Sequence, residues 1–113
     1  MMTAEELIDE GNTELAMGEM ERAVEWFEKA TVADPDSFDA WYALGVAKMK
    51  LGDYPAAIQA GKKAIELRPN EQMGYTSLSM TYARDGQIQE AEDMAAKARM
   101  LSWGGKIDPG KTE

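Results

Sequence analysis

The sequence predicts an all-α chain, a right-handed helical solenoid built from three stacked helix-turn-helix repeats and six helices. Three observations predict it. Gly18, Gly52 and Gly86 lie 34 residues apart, each after an apolar run of helical spacing. Ala23, Ala57 and Ala91 keep the same period, as do Ala30, Ala64 and Ala98, and Pro35 and Pro69. No segment shows a convincing strand alternation. A fixed period of this length marks an architecture in which each unit buries its apolar face only by stacking on its neighbours.

The elements follow in order. Thr3 and Glu6 have the spacing of a capping box, so a first helix is expected over 4–17. Gly18 ends it, because glycine takes the left-handed conformation at little steric cost. The second helix, 20–33, carries Ala23, Phe27 and Ala30 at steps of four and three, and Pro35 breaks the chain after it. Ser37 announces a third helix over 38–51, with Leu44, Ala47 and Leu51 on one face and Gly52 at its end. The fourth, 54–67, places small Ala57 and Ala64 where two backbones pack closely, and ends before Pro69. Asn70 reads as the start signal of the fifth helix, 72–85, which Gly86 ends. The sixth, 88–101, carries Ala91 and Ala98. Trp103 then stands where a proline would fall, and the helical pattern stops. The organisation is therefore repeat 1 over 4–37, repeat 2 over 38–71, repeat 3 over 72–102 and a polar tail over 103–113.

Composition narrows the function. Of the 113 residues, 44% are hydrophobic and 29% charged, enough for one soluble domain with a continuous core. No stretch approaches a membrane span, and the acidic start of the chain carries no apolar export segment, so a cytoplasmic location is expected. There is no cysteine and no histidine, which removes thiolate nucleophiles, imidazole bases and the usual zinc ligands together. An enzyme is not expected, for want of a nucleophile–base pair, and neither is a cofactor. The net charge of −9 opposes binding to nucleic acid or to an anionic membrane. That charge is uneven: residues 1–40 hold twelve acids against two bases, and residues 41–113 nine against ten.

Trp41, Leu44 and Gly45, followed by Ala57, Ala64 and Pro69, resemble the tetratricopeptide signature at its proper spacing. Repeat 1 answers with Leu7, Gly11, Ala23, Phe27, Ala30 and Pro35, and repeat 3 with Tyr75, Leu78, Tyr82, Ala91 and Ala98. The resemblance covers about residues 4–102. It departs from the family at Glu14 and Lys48, which replace a frequent tyrosine, and at Gly61 and Ala95, which stand where repeat 1 has Phe27. A mid-helix glycine costs about 1 kcal/mol against alanine, so a neighbour such as Tyr75 is expected to fill the space at Gly61.

The resemblance implies a concave face lined by the first helix of each pair, where such proteins lay a partner peptide or helix. The positions it assigns to that groove are Ile8 and Asn12 in repeat 1, Tyr42, Val46, Met49 and Lys50 in repeat 2, and Met73, Thr76, Met80 and Arg84 in repeat 3, with Glu5, Leu15, Ala16, Asp39 and Ala83 beside them. Leu15 reads as core. Ile8, Tyr42, Val46, Met49, Met73 and Met80 form an apolar, methionine-rich strip of adaptable shape, suited to an amphipathic segment presenting anchors at i, i+3 and i+4. Five or six such contacts at about 1 kcal/mol each, set against association entropy, imply micromolar affinity.

The leading expectation is thus a non-catalytic protein–protein interaction module whose partner is another protein or peptide. A second is a chaperone-like holder of secretion or assembly clients, as three-repeat secretion chaperones are. A third is a self-assembling scaffold. Solenoids need a polar capping element and none follows helix six, so the end formed by Met94, Ala98 and Leu101 is expected to be exposed and open to a second copy, as a homodimer. Trp103 with Ile107 is placed as a fold-back over the last helix, and Trp26 as partial core.

Two motifs are set aside. Residues 105–112 match the phosphate-loop pattern G-x-x-x-x-G-K-[ST] but lack the preceding strand and following helix that chemistry needs. Glu5, Glu6, Asp9 and Glu10 suit a helix N-terminus and solvent rather than a shaped calcium loop.

The carboxylate clamp of chaperone-tail binders, built from Lys, Asn and Arg, would fall here on Ile8, Asn12, Ala43, Met73 and Ser77, and only Asn12 matches. Without basic groups no charge-assisted bond holds a terminal carboxylate. Titration with an acidic chaperone-tail peptide is expected to show no saturable micromolar binding.

Overall fold

The computed structural model describes residues 1–107, and six helices account for most of them. They are α1 (Ala4–Ala16), α2 (Met20–Ala33), α3 (Phe38–Lys50), α4 (Tyr54–Leu67), α5 (Gln72–Arg84) and α6 (Ile88–Ser102). Each boundary lies within one residue of its sequence expectation.

Local chemistry sets these ends. The Thr3 hydroxyl accepts from the Glu6 amide, and the Glu6 carboxylate accepts from the Thr3 amide, which completes the capping box. Ser37 caps α3 through the Ala40 amide, and Asp53 caps α4 through the Ala56 amide. Within each repeat the turn is a glycine at positive φ: Gly18 at 81°, Gly52 at 84° and Gly86 at 81°. Around each, an amide bonds back across the turn, as in Asp53 N to Lys48 O at 3.0 Å, so carbonyls left open by the helix end are satisfied.

Between repeats the solution is different. The Trp41 indole donates to the Pro35 carbonyl at 2.7 Å, and 34 residues later the Tyr75 hydroxyl donates to the Pro69 carbonyl at 2.8 Å. Each proline stops the helix, and the aromatic ring six residues on ties the turn to the first helix of the next pair. Lys48, at one of the family's tyrosine positions, also bridges repeats: its ammonium lies 3.5 Å from Glu28 and 3.8 Å from Asp53. Glu14, at the equivalent place in repeat 1, faces Arg22 at 4.0 Å.

Helix contacts define two rows. First helices touch one another, α1 with α3 and α3 with α5, whereas the second helices α2, α4 and α6 make no mutual contact. The array therefore curves toward the first-helix side. Its core is one chain of small-against-large pairs. Phe27, wholly buried, occupies the space left by the missing side chain of Gly11, and joins Ala23, Val24, Leu44, Ala47 and Ala60. At Gly61 the filler is Leu78, whose Cδ2 lies 2.7 Å from where a Cβ would stand. The space is thus filled as expected, but by Leu78 rather than Tyr75, whose ring is committed to Pro69. Trp26 is half-buried against the cluster of Leu7, Ala30 and Ala40, with the Lys29 ammonium 4.7 Å from its ring centre.

Three expectations at the C-terminal side change. Asn70 does not cap α5, whose N-cap is Glu71; its side-chain oxygen instead accepts from the Ile107 amide at 2.7 Å. Ile107 is therefore held at the α4–α5 turn, and Trp103, 81% exposed, covers nothing. Ala98 is buried, and Met94 and Leu101 are half-buried, Met94 on the cluster of Ile58, Leu78, Tyr82 and Ala91, so the end is less exposed than expected. The positions of α6 that match buried Val24 and Thr31 of α2 carry Glu92 and Arg99, both exposed. The last helix thus turns a partly polar face outward and needs less cover than its apolar residues imply. Of the phosphate-loop match, residues 108–112 lie outside the described residues.

Two predictions follow from this packing. A Cβ at Gly11 would overlap the Phe27 ring, whereas at Gly45 its nearest neighbour is the Ala57 carbonyl at 3.4 Å. The residue equivalent to Gly45 in repeat 3, Ser79, donates to the Ala91 carbonyl at 2.8 Å. Gly11→Ala is expected to lose about 1–3 kcal/mol by overpacking, and Gly45→Ser to stay within about 0.5 kcal/mol of the parent, as helix propensity favours serine; urea unfolding distinguishes them. Burial raises the Tyr75 phenol above its ordinary value near 10, because the phenolate would lose hydration. Its contribution to stability is accordingly full below pH 10 and lost as pH rises through the raised folded value. Tyr75→Phe is expected to cost about 1 kcal/mol at neutral pH and to reduce the alkaline loss seen by thermal unfolding across that range.

Candidate functional site

Four of the ten groove positions come together. Ile8 and Asn12 on α1 and Tyr42 and Val46 on α3 line one cleft of about 460 Å³, with Glu5, Asp9, Leu15, Phe27, Asp39 and Ala43. It lies where α1 and α3 run side by side. Its floor is apolar because the core comes up to meet it: the Phe27 ring sits on Gly11, and Ile8, Leu15 and Ala43 pack on the same cluster. Tyr42 is held by its neighbour one turn earlier. Its ring stacks on buried Phe38 with centroids 5.7 Å apart and planes 14° from parallel, and the Arg68 guanidinium lies 5.1 Å from the Phe38 ring centre. Such an offset stack fixes a ring whose other face stays available.

The remaining positions lie elsewhere. Met73 and Met80 on α5 are exposed, at 46% and 45%, and do not line the cleft. Thr76, Lys50 and Arg84 are exposed on α5 and at the ends of α3 and α5, also outside it. Met49 is a correction: it is 5% exposed and belongs to the core, not to an open groove. Helical phase puts it beneath Tyr42, but phase does not count neighbours. The equivalent residues Leu15, Met49 and Ala83 are half-buried, buried and exposed in turn. Only α3 has a first helix on both sides, so only its copy of this position is enclosed.

The cleft also holds residues that sequence reasoning placed elsewhere. Phe27 reads from sequence as core alone, and Asp9 as one of four acids suited to a helix N-terminus. Two signals could have found the acidic rim: Asp9 is one helical turn from Glu5, on the same face, and Asp39 follows Glu5 by one full repeat. Together the three give the cleft three carboxylates and no base. The clamp positions Ile8, Asn12, Ala43, Met73 and Ser77 supply no cation either. Chemically the arrangement can seat an apolar side chain and surround it with negative charge. Among the described residues no group of acids could hold a metal ion, and no helix is long and apolar enough to cross a membrane.

Comparison with known proteins agrees with this architecture. The chain is 31% identical over 85 residues to the human PEX5-related protein, covering 75% of this chain and 14% of that one. It is 44% identical over 55 residues to the heat-shock protein cognate co-chaperone sgt12 of Aspergillus fumigatus, covering 49% of this chain and 16% of the relative. The chain thus spans about one seventh of the length of these longer relatives. Among solved structures, MamA (AMB-1) superposes with a TM-score of 0.83 at 30% identity, over 90% of this chain and 60% of that one. The second TPR domain of Spaghetti, bound to an HSP90 peptide, superposes with a TM-score of 0.84 at 22% identity, over 88% and 93%, a likeness of fold alone. Residues 8–71, more than half of the chain, match the family model described as tetratricopeptide repeat, and with six helices in three phased pairs the chain belongs to the tetratricopeptide repeat family.

Proposed function

We propose that this chain is a non-catalytic interaction module that seats an apolar side chain of a partner peptide in the cleft between α1 and α3. The observation that carries this reading is the cleft itself: a concave site of about 460 Å³ whose walls, Ile8, Tyr42 and Val46, are only half-buried and whose floor is the fully buried Phe27. Preformed apolar concavities with a few polar groups at their edge are the usual form of a ligand site. Membership of the family supports it, as does the neighbour of like fold that was solved with a peptide bound. The exposed Met73 and Met80 would extend the contact along α5 and adapt to segments of differing shape. Without basic residues at the clamp positions, the reading excludes recognition of an acidic tail by its terminal carboxylate.

The test is affinity capture from a source-cell lysate with three proteins: the parent, Tyr42→Glu with Val46→Glu, and Val32→Glu. Val32 is 80% exposed on α2, away from the cleft, and controls for an added surface charge. Partners held by the parent and Val32→Glu are expected to fall at least about tenfold with the cleft variant, the factor given by about 1.4 kcal/mol, while circular dichroism confirms that the variant keeps its helices. Equal capture by all three would move the binding site off this face.

A further inference from the structure

We infer that the cleft selects a cationic partner: a peptide segment in which an apolar anchor is flanked by lysine or arginine. This deepens the interaction reading above and rests on it. Glu5, Asp9 and Asp39 stand around the apolar floor, and no basic residue lines the cleft. Among the described residues none of these three carboxylates makes a salt bridge within 4.0 Å or a side-chain hydrogen bond. The nearby acids with a base in reach behave differently: Glu14 and Glu19 pair with Arg22, and Glu28 with Lys48.

The three charges are also placed by the repeat. Glu5 and Asp39 occupy the same position one period apart, near the N-terminal ends of α1 and α3, and Asp9 lies one turn further along α1. All three are exposed and line the same cleft, so their negative potentials add there. Like charges held there without counter-charges repel one another, and a ligand cation removes that repulsion as it binds. An apolar anchor without cations would fill the floor and leave the rim uncompensated, and an acidic segment would be repelled outright. The rim thus discriminates by charge among segments that the floor accepts alike.

The experiment uses three labelled synthetic peptides with the same apolar anchors, whose flanking positions are all Lys, all Gln or all Glu, titrated by fluorescence anisotropy at low and at physiological salt. The Lys peptide is expected to bind at least about tenfold more tightly than the Gln peptide, and the Glu peptide not to saturate. Raising the salt is expected to weaken the Lys peptide selectively, as screening requires. Combined Glu5→Gln, Asp9→Asn and Asp39→Asn, all at exposed positions, is expected to remove the advantage of the Lys peptide over the Gln peptide. Equal binding of Lys and Gln peptides, abolished by Tyr42→Glu, would overturn the charge preference and keep the cleft as a peptide site. Saturable binding of none of the three would overturn both readings. Tight binding of the Lys peptide that survives the triple substitution would place the cation's partner elsewhere and overturn the inference.

Discussion

The seating of Phe27 on Gly11 is the contact on which both the fold and the cleft depend. Gly11 lacks the side chain that would hold α1 and α2 apart, so the ring passes between them and reaches the centre of the first core cluster. There it touches the start of the next repeat through Leu44 and Ala47, and its other side becomes the floor of the cleft. One aromatic ring therefore binds α1 to α2, helps to seat α3 and lies, fully buried, beneath the half-buried residues of the cleft. Burying a Phe side chain contributes about 1.5–3 kcal/mol, a large share of the stability of a domain this size. A change that loosens it would disturb the site, because Ile8, Leu15 and Ala43 of the cleft pack directly on its cluster.

Repeat 2 solves the same problem in reverse. Gly61 replaces the aromatic ring, and Leu78 of the following helix moves into the vacancy. Leu78 repeats Leu44 one period on, so the first helix supplies a leucine at both junctions, and only the first junction adds an aromatic ring, Phe27. Tight interiors require such spaces to be filled. The ties between repeats are more regular. Trp41 and Tyr75 differ in size and chemistry, yet each delivers one donor to a proline carbonyl at nearly the same distance. A carbonyl at the end of a helix, next to a residue that cannot continue it, needs a partner, and an aromatic donor satisfies it while burying its ring. At Trp103 the series stops. No proline stands there, and α6 ends on Gly104 at a φ of 89°, the device used elsewhere inside a repeat. The chain after it runs back to Asn70.

Much of this was legible in the sequence. The period of glycine, alanine and proline placed six helices with ends good to one residue, since each end is decided by local chemistry that the sequence states. What depends on the number of neighbours was not legible. Met49 has the phase of Tyr42 and Val46 but is enclosed because α3 lies between two other first helices. Asn70 has the composition of a cap, but a long-range partner, Ile107, claims its side chain. Leu78 rather than Tyr75 fills the space at Gly61 because Tyr75 already has a role six residues back. In each case a local preference yields to a tertiary contact. The cleft itself was half visible: the family resemblance assigned Ile8, Asn12, Tyr42 and Val46 to one face, but did not place Phe27 beneath them.

The proposed role of the acidic rim would give a repeat fold specificity without altering its backbone. The stacking rules fix the floor, because residues there are core residues seen from outside and tolerate little change. The side chains at the rim make no ion pair or hydrogen bond among the described residues. Glu5, Asp9 and Asp39 are exposed and carry no structural pairing, so their identity is free to be set by what the cleft must accept or refuse. Excess charge at such a place is a small burden on stability, since exposed like charges in water repel weakly. It weighs far more on a ligand that must bring its own charges close and shed water in doing so. On the proposed reading, affinity would come from the apolar floor and discrimination from the acidic rim.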